Sequence, residues 1–276
     1  MPFSARGGLF APTLTPAATP WTPAQITTTA WLKGDADQVT LSGTNVTSWN
    51  NKGNGSVDFS QSTSSKQPTY DSTNKFVLFD GSDDVLQADS LLGVGTPDPI
   101  LTCVAITNIE DYDGQFGGVA GKFFQIGGNP SGGSNGVWSI ATGSGSVGYN
   151  YRFNNGFQSF NNSTLDVDAL TSWQSDATAQ YQNMKFFLNG TEKSGTGGSS
   201  NTISLSTGTA FTYLGGGPGG NSNQFMFANI KIYELVCFAS GSTSDRQKAE
   251  GYLAWEYDLE GSLPADHPYK SAAPTI

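Results

Sequence analysis

The sequence predicts an all-β sandwich of antiparallel strands, preceded by an extended N-terminal arm and closed by one C-terminal helix. Three observations carry this reading. Glycine numbers 35 in 276 residues, while charged residues make up only 13%. Those shares compare with about 7% and about 25% in ordinary domains, and they suit short strands joined by many turns. Apolar residues recur with a period of two, the spacing that lines one face of a strand. Clusters of the Leu, Ala, Glu and Lys that build long helices are scarce.

Residues 1–28 form the arm. Pro2, Pro12, Pro16, Pro20 and Pro23 remove backbone donors and fix φ, which rules out a regular helix or a central strand. Phe3, Leu9, Phe10 and Trp21 are its apolar anchors, expected to lie on a partner.

The body, residues 29–242, reads as β from Trp31 onward. Met184, Phe186 and Leu188 share a face, and Asn189-Gly190 then signals a two-residue hairpin turn, which needs φ > 0 at both central positions. Met226, Ala228, Ile230, Ile232, Val236 and Phe238 share another face. Glu234 interrupts it, and a buried carboxylate there needs a partner. Either parity of Ile100–Ile106 forms a buried run. The glycine-rich stretches 127–136, 195–200 and 215–220 read as loops.

Residues 243–276 are helix and strap. Ser244 and Gln247 fit a capping box, with Asp245 at the positive helix start. Ala249, Tyr252, Leu253 and Tyr257 form its stripe, and Gly261 and Pro264 end the segment.

Charge and chemistry narrow the function. A formal net charge of −10 argues against nucleic acid, whose phosphates need a positive field. No run of 18 apolar residues exists, so membrane insertion is not expected, and the first residues show no apolar signal segment. Cys103 and Cys237 sit in apolar runs and read first as buried free thiols, with a bridge between neighbouring strands as the alternative. His267, the single histidine, lacks a nucleophile elbow and reads as part of the strap. Glu110, Asp111 and Asp113 precede a glycine and read as a solvated loop. Tyr149, Tyr151, Phe153, Phe157 and Phe160 alternate between core and a surface where sugars could stack. Sequons at Asn45, Asn161, Asn162 and Asn189 are taken as chance matches.

Asp80, Asp83 and Asp84 surround Gly81. Aspartates in such a turn cap backbone N–H groups, which is the simpler reading. Hard cations favour the same oxygens, so calcium is the one metal these residues could take. No other cofactor is expected.

Several short motifs converge. They are Trp31-Leu32, the run Val46 to Gly55 with Trp49 and its Gly-Asn-Gly turn, Gln67-Pro68-Thr69, Phe79 to Leu86, Phe186 to Gly190, and Arg246 to Trp255 followed by Leu263-Pro264 and His267-Pro268-Tyr269. Together, over residues 29–272, they resemble the concanavalin A-like lectin/glucanase (laminin-G-like) jelly-roll domains of tailed-bacteriophage virion proteins. The resemblance implies a two-sheet antiparallel jelly roll, and a role in glycan recognition or particle architecture. Lys33 stands where such chains often carry an acidic residue, and the glucanase run Glu-x-Asp-x-Glu is absent.

We therefore expect a non-enzymatic virion structural protein without catalytic residues, a capsid decoration or cement protein on the head exterior with weak glycan binding. Its partners would be the major capsid protein or other virion proteins and a host surface glycan, and a homo-oligomer is expected. The alternatives are a tail-borne or surface carbohydrate-binding adhesin and a glucanase-like hydrolase. The last needs two facing carboxylates. Residues that contact glycan are not identified at this level.

Overall fold

The computed structural model describes residues 18–55, 57–94, 100–111, 121–127, 138–142, 149–153, 156–160, 165–175, 180–197, 205, 211–218 and 225–276. The arm anchors Phe3, Leu9 and Phe10 lie outside them. Among the described residues the strands are β1 (Thr28–Lys33), β2 (Val39–Ser42), β3 (Asn45–Trp49), β4 (Phe59–Ser60), β5 (Thr69–Asp71), β6 (Phe76–Asp80), β7 (Leu86–Ala88), β8 (Thr102–Asp111) and β9 (Lys122–Ile126). The remaining elements are β10 (Trp138–Thr142), β11 (Tyr149–Phe153), β12 (Gly156–Phe160), β13 (Ala169–Gln174), β14 (Lys185–Leu188), β15 (Thr191–Lys193), β16 (Gly195–Gly197), β17 (Thr212–Leu214), β18 (Asn229–Phe238) and the helix α1 (Thr243–Glu256).

The ladders among these strands are antiparallel and divide into two layers. The first runs β15-β14-β13-β8-β18, with β1 and β6 sharing the far edge of β18 and β5 beyond β6. The second runs β2-β3-β4-β7-β17-β9-β10-β11-β12-β16. The layers join where β3 also pairs with β5. The fold is the all-β sandwich with a C-terminal helix that the sequence predicts.

Two cores follow from strand alternation. Ala30, Leu32, Cys103, Ala105, Trp173 and Phe186 of the first layer meet Trp49, Phe59, Leu86, Phe124, Ile126 and Leu214 of the second. The opposite face of the first layer buries Val104, Ile106, Leu170, Val236 and Phe238 under Ala249, Leu253 and Ala254 of α1. Strand β8 is therefore covered on both sides, which is why either parity of its sequence reads as apolar.

The face expected over 226–238 is not continuous. The ladder shifts between Ile232 and Glu234, and the extra residue of this β-bulge reverses parity. Ile230 and Ile232 face the inter-sheet core, whereas Val236 and Phe238 face the helix. The cysteines are likewise corrected from free thiols to a disulfide. Cys103 and Cys237 oppose each other in the β8–β18 ladder with Cα atoms 4.3 Å apart, the close approach of a non-hydrogen-bonded pair.

The hairpin forms as expected, with φ of 49° at Asn189 and 75° at Gly190. The helix begins earlier than expected: Ser242, not Ser244, is the N-cap, its hydroxyl accepting from the Asp245 N–H at 3.2 Å. It also ends earlier, where Asp258 takes φ 56°, so Gly261 and Pro264 lie past its end. Residues 195–197, expected as loop, pair as β16 with β12. Glu110 and Asp111 close β8 rather than lying in a loop, and Glu110 pairs with Lys231; Asp113 lies outside the described residues.

The C-terminal part of the expected arm belongs to the body. Trp21 is buried against Tyr252, ring centroids 6.2 Å apart, within the helix-side core. It anchors the chain to itself instead of to a partner. Its N–H donates to the Pro274 carbonyl, and Ile276 N–H donates to Thr19.

Candidate functional site

The polar motif after Trp49 has a structural task. Asn51 Oδ1 accepts from Trp31 N–H at 2.9 Å and Gly53 N–H at 2.8 Å, and Asn54 Oδ1 accepts from Thr28 N–H at 3.1 Å. The Lys52 N–H donates to the Trp31 carbonyl. The loop thus satisfies the free edge of β1 as a strand would.

Glu234 sits fully buried below α1. Trp31 Nε1 donates to it at 2.7 Å and Tyr257 hydroxyl at 3.1 Å, and Tyr252 also hydrogen-bonds to it. Burial pushes its carboxyl up to about 7, against these donors and nearby Lys33. With solvent excluded and its donors supplied by the chain itself, Glu234 holds the helix on the sheet. Lys33 pairs with Glu256 at 2.6 Å and Asp35 at 3.4 Å.

A pH dependence follows. A carboxyl raised from 4.5 to about 7 on folding binds protons more tightly in the native state, so its contribution to stability falls as pH rises through that window. The loss is roughly 3 kcal/mol by pH 8. Urea unfolding of wild type and Glu234→Gln at pH 5 and pH 8 should show a loss that is larger in wild type by roughly 2–3 kcal/mol. Equal pH dependence in both would remove Glu234 as its source.

Asp80, Asp83 and Asp84 are brought together: one oxygen of each lies within 4.8 Å of the others. Their hydrogen bonds serve the turn. Asp80 Oδ1 accepts from Ser82 N–H at 2.8 Å and Asp83 N–H at 3.4 Å, and Asp84 Oδ2 accepts from Asp80 N–H at 3.0 Å. Burial, with the charges of Asp80 and Asp83, pushes Asp84 up to about 6. The three carboxylates could supply part of the six to eight oxygens that calcium takes.

An opening with convergent chemistry lies next to this turn, on the outer face of the second layer. Leu86 and Ala88 point into the core, so Gln87 between them points out. Tyr213 on β17 and Gln125 on β9 pair in register and share that face. A register shift in the β9–β10 ladder skips Phe123, which sends Phe123 and Phe124 together into the core and leaves Lys122 and Gln125 side by side outside. Lys122 Nζ donates to Gln125 Oε1 at 2.6 Å and to the Pro218 carbonyl. This pins the segment 215–218 against the sheet. A Cβ at Gly217 would lie 2.6 Å from Gln125 Oε1, so any larger residue there would have to shift the amide that Lys122 holds.

Phe225 and Phe227 return over this platform. Their rings are inclined by only 20°, with centroids 5.8 Å apart, and Tyr213 supports Phe225 edge-on at 5.7 Å. Together with Gln61, Thr63, Lys66, Val85 and Gln87 they enclose a groove of about 470 Å³, the size of a small-ligand site. Gln61 Nε2 donates to the Val85 carbonyl and Val85 N–H to the Lys66 carbonyl, both at 3.1 Å. The Asp80–Asp84 turn therefore sets the position of one groove wall.

Among the described residues, none of those expected to be functional lines this groove. Phe160 is buried in the inter-sheet core, and the side chains of Tyr149, Tyr151, Phe153 and Phe157 lie outside the described residues. The signal that sequence reasoning missed is Phe225-Met226-Phe227, two aromatics spaced to share a face beside a polar loop.

No protein-family model matches the sequence, and no curated protein matches it. Solved structures do match in fold. The sialidase of Trypanosoma rangeli aligns with a TM-score of 0.54 at 11% identity, over 87% of this chain and 36% of the sialidase. The same sialidase in complex with sialic acid aligns at 0.52 and 12%, over 83% of this chain and 34% of that one. The binding domain of botulinum neurotoxin serotype D aligns at 0.51 and 9%, over 85% and 52%. The chain thus spans from about a third to about a half of the length of these three chains. Identities this low show the fold alone, an all-β sandwich.

These matches correct the expected function. The structures compared above are of a sialidase and a toxin binding domain, and none of them is a particle protein. The reading as a non-enzymatic capsid decoration protein gives way to the carbohydrate-binding alternative.

Proposed function

We propose that the chain is a glycan-binding module that holds a sugar in the groove of the second layer without cleaving it. The observation that carries the reading is the Phe225–Phe227 strip set opposite Gln61 and Gln87. Aromatic faces take the apolar C–H face of a pyranose, and side-chain amides offer donors and acceptors to its hydroxyls. Sialidases, one with sialic acid bound, share the architecture, which supports a sugar as the ligand class. The absence of hydrolysis is supported by the lining itself. No carboxylate lines the groove among the described residues, whereas most glycoside hydrolysis uses a pair. The disulfide between Cys103 and Cys237 suits an oxidising compartment, where surface glycans are met.

A glycan array followed by titration of the best ligand tests this. Phe225→Ala and Phe227→Ala should each weaken binding about tenfold while leaving the melting temperature near that of wild type. Unchanged affinity in both variants would sink the proposal.

A further inference from the structure

We infer that the groove prefers sugars bearing a carboxylate and that Lys66 makes the selection, an inference that rests on the groove being a glycan site.

The hydrogen bonds already made around the groove leave its lining rich in donors. Both ends of the Gln61 amide are engaged, Nε2 with the Val85 carbonyl at 3.1 Å and Oε1 with the Thr63 N–H at 2.9 Å. Gln87 Nε2 donates to Asp89 Oδ1 at 2.7 Å. What remains for a ligand is the Lys66 ammonium, the Thr63 hydroxyl and the second N–H of each amide nitrogen, against Gln87 Oε1 as the free amide acceptor. A neutral sugar offers hydroxyls that both give and take, whereas a carboxylate only accepts. The lining matches the second better.

Among the described residues Lys66 is also the one charged side chain that lines the groove. Lys33, Lys75, Lys185 and Lys231 each pair with a carboxylate. Among the described residues Lys66 forms no ion pair, in a chain with ten more acidic than basic side chains. The adjoining Asp84 does not neutralise it, since Asp84 is buried and caps the Asp80 N–H. Asp89, bonded to Gln87, and the nearby Asp80–Asp84 turn oppose an anion, whereas salt screens the more distant charges beyond about 8 Å at physiological strength. Contact with Lys66 decides.

Ligand-observed NMR titration of the full chain tests the inference with four probes: methyl glucoside, methyl glucuronide, the methyl ester of that glucuronide, and the methyl glycoside of N-acetylneuraminic acid. The acidic sugars should bind about tenfold more tightly than the ester or the glucoside. Comparison of the glucuronide with the sialoside tells which carboxylate source fits. Lys66→Gln should bring acid and ester within about twofold of each other, and Lys66→Glu should invert the order. Both variants should change affinity for the glucoside less than affinity for the glucuronide. Equal binding of acid and ester by wild type would overturn the inference and leave the glycan site standing, and so would a preference that survives Lys66→Gln. Binding of no probe, by wild type or variant, would overturn both.

Discussion

Replacing Glu250 by alanine should cost the protein about 3–5 kcal/mol and lower its melting temperature by roughly 10 °C. Glu250 is fully buried on α1, and both of its oxygens are committed. Oε1 meets Arg246 Nη1 at 2.5 Å and Oε2 meets His267 Nε2 at 3.1 Å. The Arg246 guanidinium also stacks on Phe187, 3.5 Å from the ring centroid. His267 Nδ1 accepts from the Tyr269 N–H, so Nε2 is the protonated nitrogen that donates to Glu250. Removing the carboxylate leaves a buried guanidinium uncompensated and an imidazole N–H unpaired, which is where the cost arises. The pair Arg246→Met with Glu250→Gln keeps the apolar contact with Phe187 and an acceptor for His267. It should recover most of the loss. Thermal and urea unfolding of the three proteins check this, and a single variant as stable as wild type would contradict the network's role.

Loss of the Cys103–Cys237 bridge should have a comparable effect, about 2–5 kcal/mol. The bridge spans 134 residues of sequence, so cutting it frees a long stretch of the unfolded chain. It also joins the two strands that carry both cores, β8 and β18. Folded protein should resist reductant because both sulfurs are buried. Protein unfolded in guanidinium and then reduced should refold with a lower midpoint. Cys103→Ala/Cys237→Ala should show the same midpoint as the reduced wild type, and a midpoint equal to that of oxidised protein would refute the assignment.

Features set by neighbouring residues were legible in the sequence. Asn189-Gly190 specifies its turn locally, and the Ala249–Leu253 stripe specifies a helix whatever else surrounds it. The helix start was misjudged by two residues because Ser242, Ser244 and Asp245 all suit a helix start, and only the observed bond to the Asp245 N–H selects Ser242. The bulge at Ile232–Glu234 was hidden because alternation on either side looks the same with or without an extra residue. The disulfide depended on a register between strands far apart in sequence. The groove was least legible. Phe225 and Phe227 gain meaning only when Gln61 and Gln87, well over a hundred residues earlier, are brought opposite them, and the loop that carries them rests on the Lys122–Gln125 pair.

The position of Thr19–Trp21 beside Pro274–Ile276 has a consequence for display. Both segments lie on the helix side of the first layer, while the groove opens on the outer face of the second. Anything joined to the module through either segment would hold it by its back, with the groove pointing away from the tether. Several copies mounted on one support would then face a common surface together, and weak single contacts would add through high effective concentration.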